Sequence, residues 1–145
     1  MYFSPSLNGL LHIEGEGDCP GILHPRRRWR SKHNLFASGS VNGRYFVGGL
    51  IGTAGDYHLS YVENSYSVGR VQAISQSGGL IGYSPNASIL NSYWDINTSG
   101  QSQSAGGEGR TTQQMQTQSN YVEWDFMNIW RINQGQDYPR LAWQP

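Results

Sequence analysis

The stretch Gly48-Gly49-Leu50-Ile51-Gly52 recurs unchanged thirty residues later as Gly78-Gly79-Leu80-Ile81-Gly82. The same spacing relates Asn34-Leu35-Phe36 to Asn64-Ser65-Tyr66, so the match extends beyond the repeated word. Asn91-Ser92-Tyr93 opens a third copy twenty-seven residues after the second, which predicts a connecting loop three residues shorter. A fixed period of this length is typical of stacked supersecondary units and not of an enzyme core.

Short apolar runs bounded by glycine fill each copy, and this pattern predicts strands of about four to six residues rather than helices. The predicted strands are residues 38–41, 46–51, 62–66, 68–71, 79–82 and 89–94. One such unit cannot bury its inward Leu, Ile, Val and Tyr side chains alone, whereas stacking on the next unit completes the core and the hydrogen bonds. The expected fold is all-β: a parallel β-solenoid, or β-helix, of about two to three rungs with an aromatic-rich C-terminal cap.

Asparagine recurs at one position of every copy, as Asn34, Asn64 and Asn91. Its side chain satisfies turn backbone, and identical stacked asparagines form ladders. We therefore expect these residues at equivalent corners, with an asparagine ladder joining the copies.

Three sections differ in composition. Residues 1–33 carry no clear copy and are expected to be atypical, either disordered or a degenerate repeat; residues 34–94 form the repeat array. Residues 95–145 combine a Gly/Ser/Gln linker with a capping segment that is rich in aromatic residues. Within it, residues 111–119 are expected to be helical behind a threonine cap, and three segments, 124–126, 129–132 and 138–143, are expected to be extended.

Bulk properties restrict the class of protein. A chain of 145 residues fits one domain, and its formal net charge of zero gives no reason to predict binding to nucleic acid. The one cysteine, Cys19, excludes an intramolecular disulfide. No run approaches the roughly twenty apolar residues of a membrane span. No export signal is recognisable, so an exported protein would carry its signal outside this chain, as a fragment of a longer polypeptide.

The repeated Gly-Gly-Leu-Ile-Gly followed by Asn-Ser-Tyr resembles the GLUG motif, which spells Gly, Leu, any hydrophobic residue, Gly. The C-terminal part resembles the segment that commonly follows the last such repeat in large bacterial surface proteins. The residues that carry this second resemblance are Asn91-Ser92-Tyr93-Trp94-Asp95, Thr98-Ser99-Gly100-Gln101-Ser102, Gly106-Gly107-Glu108-Gly109-Arg110-Thr111-Thr112, Trp124-Asp125-Phe126, Ile129-Trp130 and Asp137-Tyr138-Pro139-Arg140-Leu141. The section before residue 34 departs from the pattern, since Gly9-Leu10-Leu11-His12 is at best a decayed copy.

The resemblance implies a non-catalytic structural or interaction module of a secreted or cell-surface, adhesin-like bacterial protein. Such repeats also occur as accessory modules of some immunoglobulin A proteases, so an accessory region of a surface protease is an alternative. A carbohydrate-binding or carbohydrate-active β-helix is another. The expected partners are neighbouring repeats of a longer polypeptide and a surface glycan or protein ligand.

Enzyme signatures are missing from the sequence. A zinc protease needs His-Glu-x-x-His, but His12, His24, His33 and His58 are scattered. Neither Gly-x-Gly-x-x-Gly nor Gly-x-Ser-x-Gly occurs, and Asp56, Glu63 and Asp95 do not recur at the repeat offset as a catalytic groove would require. The chain is expected not to be an enzyme, with no catalytic, cofactor-binding or metal-binding residues.

Three other features have a structural and a functional interpretation. Residues 95–100 open like a calcium loop, but position twelve is Gly106, so a polar turn is favoured. Arg26-Arg27-Arg28-Trp29-Arg30 is interpreted as a solvated basic segment in preference to a nucleic-acid or polyanion site. Trp94, Trp124, Trp130 and Trp143 are expected to fill the cap, with sugar stacking as the alternative.

Overall fold

The computed structural model describes residues 30–55 and 59–145. Several sequence predictions concern residues outside this part: Cys19, the histidines at positions 12, 24 and 58, Asp56, the degenerate copy at residues 9–12 and the basic cluster up to Trp29.

Short strands dominate the described chain, which confirms the all-β prediction. The first copy has β1 (Arg30–His33), β2 (Phe36–Ala37), β3 (Val41–Gly43), β4 (Val47–Gly48) and β5 (Ile51–Thr53). The second has β6 (Ser60–Glu63), β7 (Tyr66–Ser67), β8 (Val71–Ala73), β9 (Ser77–Gly78) and β10 (Ile81–Tyr83). The third has β11 (Ala87–Leu90) and β12 (Tyr93–Asp95), followed by α1 (Ile96–Ser99), β13 (Glu108–Arg110), α2 (Thr112–Met115), a 3₁₀ turn (Gln118–Asn120), β14 (Trp130–Arg131) and β15 (Arg140–Leu141).

Equivalent strands of successive copies pair in parallel and in register. All five strands of the first copy pair with those of the second at an offset of thirty, as Val41 does with Val71. The third copy pairs with the second at an offset of twenty-seven, as Tyr93 does with Tyr66. The connection between β10 and β11, residues 84–86, is three residues shorter than the equivalent connection between β5 and β6, residues 54–59, as predicted.

The repeat begins before residue 34, the predicted boundary. Arg30 pairs with Ser60 and Lys32 with Val62, so β1 belongs to the first copy. Sequence comparison misses this strand because a lysine, although buried, stands where the next copy has an apolar residue.

Positive φ angles make the strands shorter than predicted. Asn34, Asn64 and Asn91 have φ of 56°, 49° and 47°, so they occupy equivalent corners as expected. The predicted strands 62–66 and 89–94 are each broken in two at these corners, since a left-handed residue turns the chain out of the strand direction. Phe46 and Gln76, with φ of 52° and 48°, form a second corner in the first and second copies.

Serine joins the copies at the asparagine corner, where the sequence predicts an asparagine ladder. Leu35 N donates to Ser65 Oγ at 3.1 Å, and Ser65 N donates to Ser92 Oγ at 3.2 Å. Two of the asparagine side chains contact the C-terminal tail instead: Asn34 Oδ1 accepts from Trp130 Nε1, and Asn91 Nδ2 donates to Glu123. Asn64 Oδ1 is buried and has no hydrogen-bond partner among the described residues. The prediction was therefore right about the corner and wrong about the side chain that bridges it.

The repeated Gly-Gly-Leu-Ile-Gly sequence contributes its apolar side chains to a core that adjacent copies share. Leu50 and Leu80 belong to one apolar cluster, and Leu50 N donates to Leu80 O at 2.9 Å. Val62, Ile81 and Trp94 complete this cluster from three different strands. A smaller cluster, formed by Val41, Val47 and Val71, lies along β3, β4 and β8. The cores therefore cross the boundary between copies, as the stacking argument requires.

Candidate functional site

One edge of the stack is open within the described part of the chain. Each of β1 to β5 pairs with a strand of the second copy on one side, and none has a strand on its other side among residues 30–55 and 59–145. Leu50 is accordingly only half-buried, whereas the equivalent Leu80 is fully buried. Unpaired strand edges are templates for further pairing.

The opposite edge is closed by residues 101–110. Gly79 N donates to Gln103 O and Ala105 N donates to Ile81 O, both at 2.9 Å, so this segment pairs with the second copy where the third has ended. β13 then pairs with β12, with Glu108 opposite Tyr93. Glu108 and Arg110 form an ion pair at 3.3 Å and place charge on this outer edge, which discourages further pairing.

The aromatic tail lies alongside the stack and contacts all three copies. Trp130 meets Phe36 of the first copy with ring centroids 6.4 Å apart, and it meets Tyr66 of the second at 6.0 Å. Trp124 meets Tyr93 of the third at 6.1 Å. We call Tyr121, Trp124, Trp130 and Tyr138 the aromatic brace. The predicted cap is thus divided: residues 101–110 cover the last copy, and the brace packs on the side of the sheet.

The indole N–H and phenol O–H groups of the buried rings form hydrogen bonds, as buried Trp and Tyr side chains usually do. Trp130 Nε1 donates to Asn34 Oδ1 at 3.3 Å, and Trp124 Nε1 donates to Asn91 O at 2.8 Å. Tyr66 donates its hydroxyl hydrogen to Pro139 O. The Arg110 guanidinium lies 3.9 Å from the centroid of the Tyr93 ring. The brace therefore connects to corners at both ends of the array.

Local capping shapes the tail. Thr111 and Gln114 form a capping box at α2, which confirms the threonine cap, although the helix is shorter than predicted and a 3₁₀ turn follows it. β14 and β15 form an antiparallel pair that confirms part of the expected extended structure. Residues 124–126 are not a strand, since Asp125 precedes a turn over residues 126–129 in which its Oδ1 accepts from the backbone N–H groups of Met127 and Asn128. Hydrogen bonds from Asn128 hold the pKa of Asp125 below its usual value.

Asp95 is a buried carboxylate with a structural role. Oδ1 accepts from Asn97 N at 2.8 Å and from Thr98 N at 3.1 Å, and so caps α1. Oδ2 accepts from the Tyr138 hydroxyl at 2.7 Å. The polar turn predicted here is confirmed, since both carboxylate oxygens accept hydrogen bonds from groups of the protein. Across residues 30–55 and 59–145, no three His, Cys, Asp or Glu side chains gather in a metal-binding arrangement.

Trp94, Trp124 and Trp130 are buried, as predicted. Trp143 is 73% exposed, so the expectation that it would fill the cap was wrong. Burial of Trp94, Trp124 and Trp130 removes the sugar-stacking interpretation for them, because no free ring face remains. His33 lies 3.2 Å from Glu63 across the β1–β6 pair. The candidate site supported by the geometry is therefore the stacking surface itself, which in the described part of the chain is unpaired at the first copy and closed beyond the third.

Alkaline pH should unfold the protein through its tyrosines. Burial, with the hydrogen bond to Asp95, raises the pKa of Tyr138 to about 12, and burial also raises the pKa of Tyr66 and Tyr121. An unfolded tyrosine ionises near pH ~10. Above that pH the unfolded state loses protons that the folded state keeps, so stability falls as pH rises.

We expect the melting temperature (Tm), followed by circular dichroism, to show no tyrosine-linked decline below about pH 9 and to drop between about pH 10 and 12. Tyr138→Phe should make that drop shallower. A drop of unchanged steepness in this variant would contradict the assignment to Tyr138.

Comparison with known proteins finds a relative that is much longer than this chain. The chain is 39% identical over 122 residues to a protein of Evansella cellulosilytica named "Putative Gly-rich membrane protein". The match covers 75% of this chain but only 13% of that protein's length. No protein-family profile matches the chain, and no solved structure matches it. In the described residues, every helix is too short or too polar to cross a bilayer.

Proposed function

We propose that this chain is a non-catalytic structural and interaction module, a GLUG-type parallel β-solenoid of about two to three rungs within a longer secreted or cell-surface bacterial protein. The observation that carries the proposal is the contrast between the two edges. Within residues 30–55 and 59–145, the strands of the first copy have no strand on their outer side, whereas residues 101–110 close the far side. Such an arrangement leaves the outer side of the first copy for another repeat.

The contacts support a solenoid. Strand pairs at offsets of thirty and twenty-seven run in the same direction, and apolar clusters cross from copy to copy. In a solenoid, stability is the sum of each repeat and its interface with the next. Neighbouring repeats of the same polypeptide are therefore the first partners of this module.

The described polar residues support a structural role. Asp95 caps a helix, Asp125 organises a turn, and Ser65 and Ser92 bridge backbone groups of adjacent copies. The hydrogen bonds of these side chains join them to backbone, hydroxyl and amide groups of the protein itself. A stalk or adhesive surface needs no more chemistry than this.

The relative supports placement in a large envelope protein. This chain matches about one eighth of that relative, as a module of a long polypeptide would, and the relative's name assigns it to a membrane. We therefore propose a secreted or surface location. An accessory region of a surface protease would use the same module.

Adding a repeat tests the solenoid. A duplicate of residues 34–63 inserted between Glu63 and Asn64 should raise the Tm and preserve a single unfolding transition, because one more interface is formed. The matched control carries the same insertion with its Gly-Gly-Leu-Ile-Gly word scrambled. An authentic duplicate that unfolds separately, or that lowers the Tm as much as the control does, would contradict the proposal.

Labelling of cells tests the location. Antibodies against the folded chain should bind intact cells of the source bacterium or its culture medium. Signal found only after lysis would contradict a secreted or surface location without bearing on the solenoid.

A further inference from the structure

Each serine bridge at the asparagine corner serves the copy before it. Ser65 Oγ accepts from Leu35 N, and Ser92 Oγ accepts from Ser65 N. Leu35 stands at the serine position of the first copy and has no hydroxyl, so a backbone N–H stacked outside it would find no such acceptor. The residue thirty positions before Leu35 is Pro5, which has no N–H to satisfy.

A glycine between two corners gives the same spacing. A Cβ on Gly69 would overlap the backbone carbonyl of Gly39, so the close packing of the two copies requires glycine in the later one. Thirty residues before Gly39 the sequence again has glycine, Gly9. The residue two positions after each of these glycines is apolar: Leu11, Val41 and Val71. Val41 and Val71 pair and are both buried, so the spacing assigns Leu11 to the same column of core residues.

A counterpart of the repeated Gly-Gly-Leu-Ile-Gly sequence follows. Gly21-Ile22-Leu23 resembles Gly49-Leu50-Ile51 at a spacing of 28, which requires two extra residues in the turn before it. The same spacing aligns Cys19 with Val47, whose side chain is buried. Free cysteine behaves as a small apolar residue, so it suits such a position.

Charge and connection length fit this alignment. Glu16 aligns with the exposed Arg44, so stacking would bring a carboxylate to a guanidinium. Residues 26–29 would join the aligned segment to β1. This connection of four residues lies between the six residues 54–59 and the three residues 84–86 that join the later copies.

We propose that residues 5–25 stack on the outer edge of the first copy as one further, incomplete copy, in parallel with β2 to β5. Backbone pairing would satisfy that edge, and Ile22 would cover Leu50, which is half-buried where the equivalent Leu80 is fully buried. The inference rests on the proposed stacking function and deepens it by naming the segment that occupies the edge.

Two adjacent leucines test the register. Leu11 aligns with the buried Val41, whereas Leu10 aligns with the exposed Ser40. Leu11→Ser should lower the Tm by about 5 °C, because it places a hydroxyl where stacking buries an apolar side chain. Leu10→Ser, the matched control, should leave the Tm within about 1 °C of the parent.

Cross-linking tests the proximity. Residues opposite each other on neighbouring strands lie about 5 Å apart, which a disulfide can span. Val47→Cys should therefore form an intramolecular disulfide with Cys19 when the folded chain is treated with diamide, which takes up the two thiol hydrogens. Ser77→Cys is the matched control, because Ser77 pairs with Val47 one copy further away and lies beyond the reach of Cys19. Mass spectrometry and non-reducing electrophoresis measure the two yields.

The unmodified chain gives a readout that needs no variant. Dithionitrobenzoate should label Cys19 at least about tenfold more slowly in the folded chain than in urea, because the stacked thiol is buried.

The proposal is overturned by equal melting temperatures of Leu10→Ser and Leu11→Ser, by equal disulfide yields of Val47→Cys and Ser77→Cys, or by equal reactivity of Cys19 in buffer and in urea. Each of these results would leave the edge to other repeats of a longer polypeptide. A repeat insertion that still raises the Tm would then support the solenoid without this segment, so the two proposals fail separately.

Discussion

Replacing Trp130 with alanine is expected to lower the free energy of unfolding by about 3–5 kcal/mol, the usual cost of deleting a buried tryptophan. The Trp130 side chain is fully buried and contacts Phe36 and Tyr66, so it joins the tail to two copies. Domains of this size have about 5–15 kcal/mol in total, so the variant should be close to unfolding at 37 °C. Urea denaturation followed by circular dichroism measures the loss.

Trp143→Ala provides the matched control, because the same residue type is deleted at an exposed position of the same tail. Its effect should stay within about 0.5 kcal/mol. Equal losses in the two variants would contradict the arrangement of the aromatic brace. Hydrogen exchange adds a second readout, since loss of the Trp130 indole should increase exchange in the first copy, where Asn34 receives its hydrogen bond.

Gly69→Ala is expected to destabilise the fold by about 2–3 kcal/mol through overpacking between copies. A Cβ on Gly69 would overlap the backbone carbonyl of Gly39 in the preceding copy, and backbone cannot rotate away as a flexible side chain can. Gly69 does not have a positive φ, so the cost is steric and not conformational. Thermal melting measures the effect.

Gly135→Ala separates these two causes. Gly135 has a φ of 74° and no atom near its missing Cβ, so alanine there should cost about 1 kcal/mol from backbone conformation alone. If Gly69→Ala proves no more harmful than Gly135→Ala, the backbones of adjacent copies are not in close contact.

Register was predictable because its determinants recur in the sequence. The identical word around Leu50 and Leu80 gives the offset of thirty, and the asparagine corners give the offset of twenty-seven. Glycine-flanked apolar runs also gave the all-β class correctly. These features are local, so one sequence contains enough information to place them.

The position of the aromatic tail was not predictable in the same way. The hydrogen bond from Trp130 to Asn34 joins residues 96 positions apart, and no repeated sequence pattern indicates it. The same holds for the bond from Tyr66 to Pro139. Composition indicated that the tryptophans would be buried, but which face they would cover depends on long-range packing.

The serine bridges between copies and the corner at Phe46 and Gln76 were not predicted from the sequence. Ser65 and Ser92 follow the asparagines directly, and their polarity alone does not show that they reach the neighbouring copy. Phe46 lacks the Asn or Gly that usually marks a left-handed corner, so a continuous strand was predicted there. Sequence reasoning therefore missed the contact between the rings of Phe46 and Tyr83.

Nuclear Overhauser contacts between backbone protons would test the parallel register most directly. The account predicts contacts between Val41 and Val71 and between Val47 and Ser77 at a spacing of thirty, and between Tyr66 and Tyr93 at a spacing of twenty-seven. Strong contacts between β3 and β4 in antiparallel hairpin order, with none at these two spacings, would contradict it.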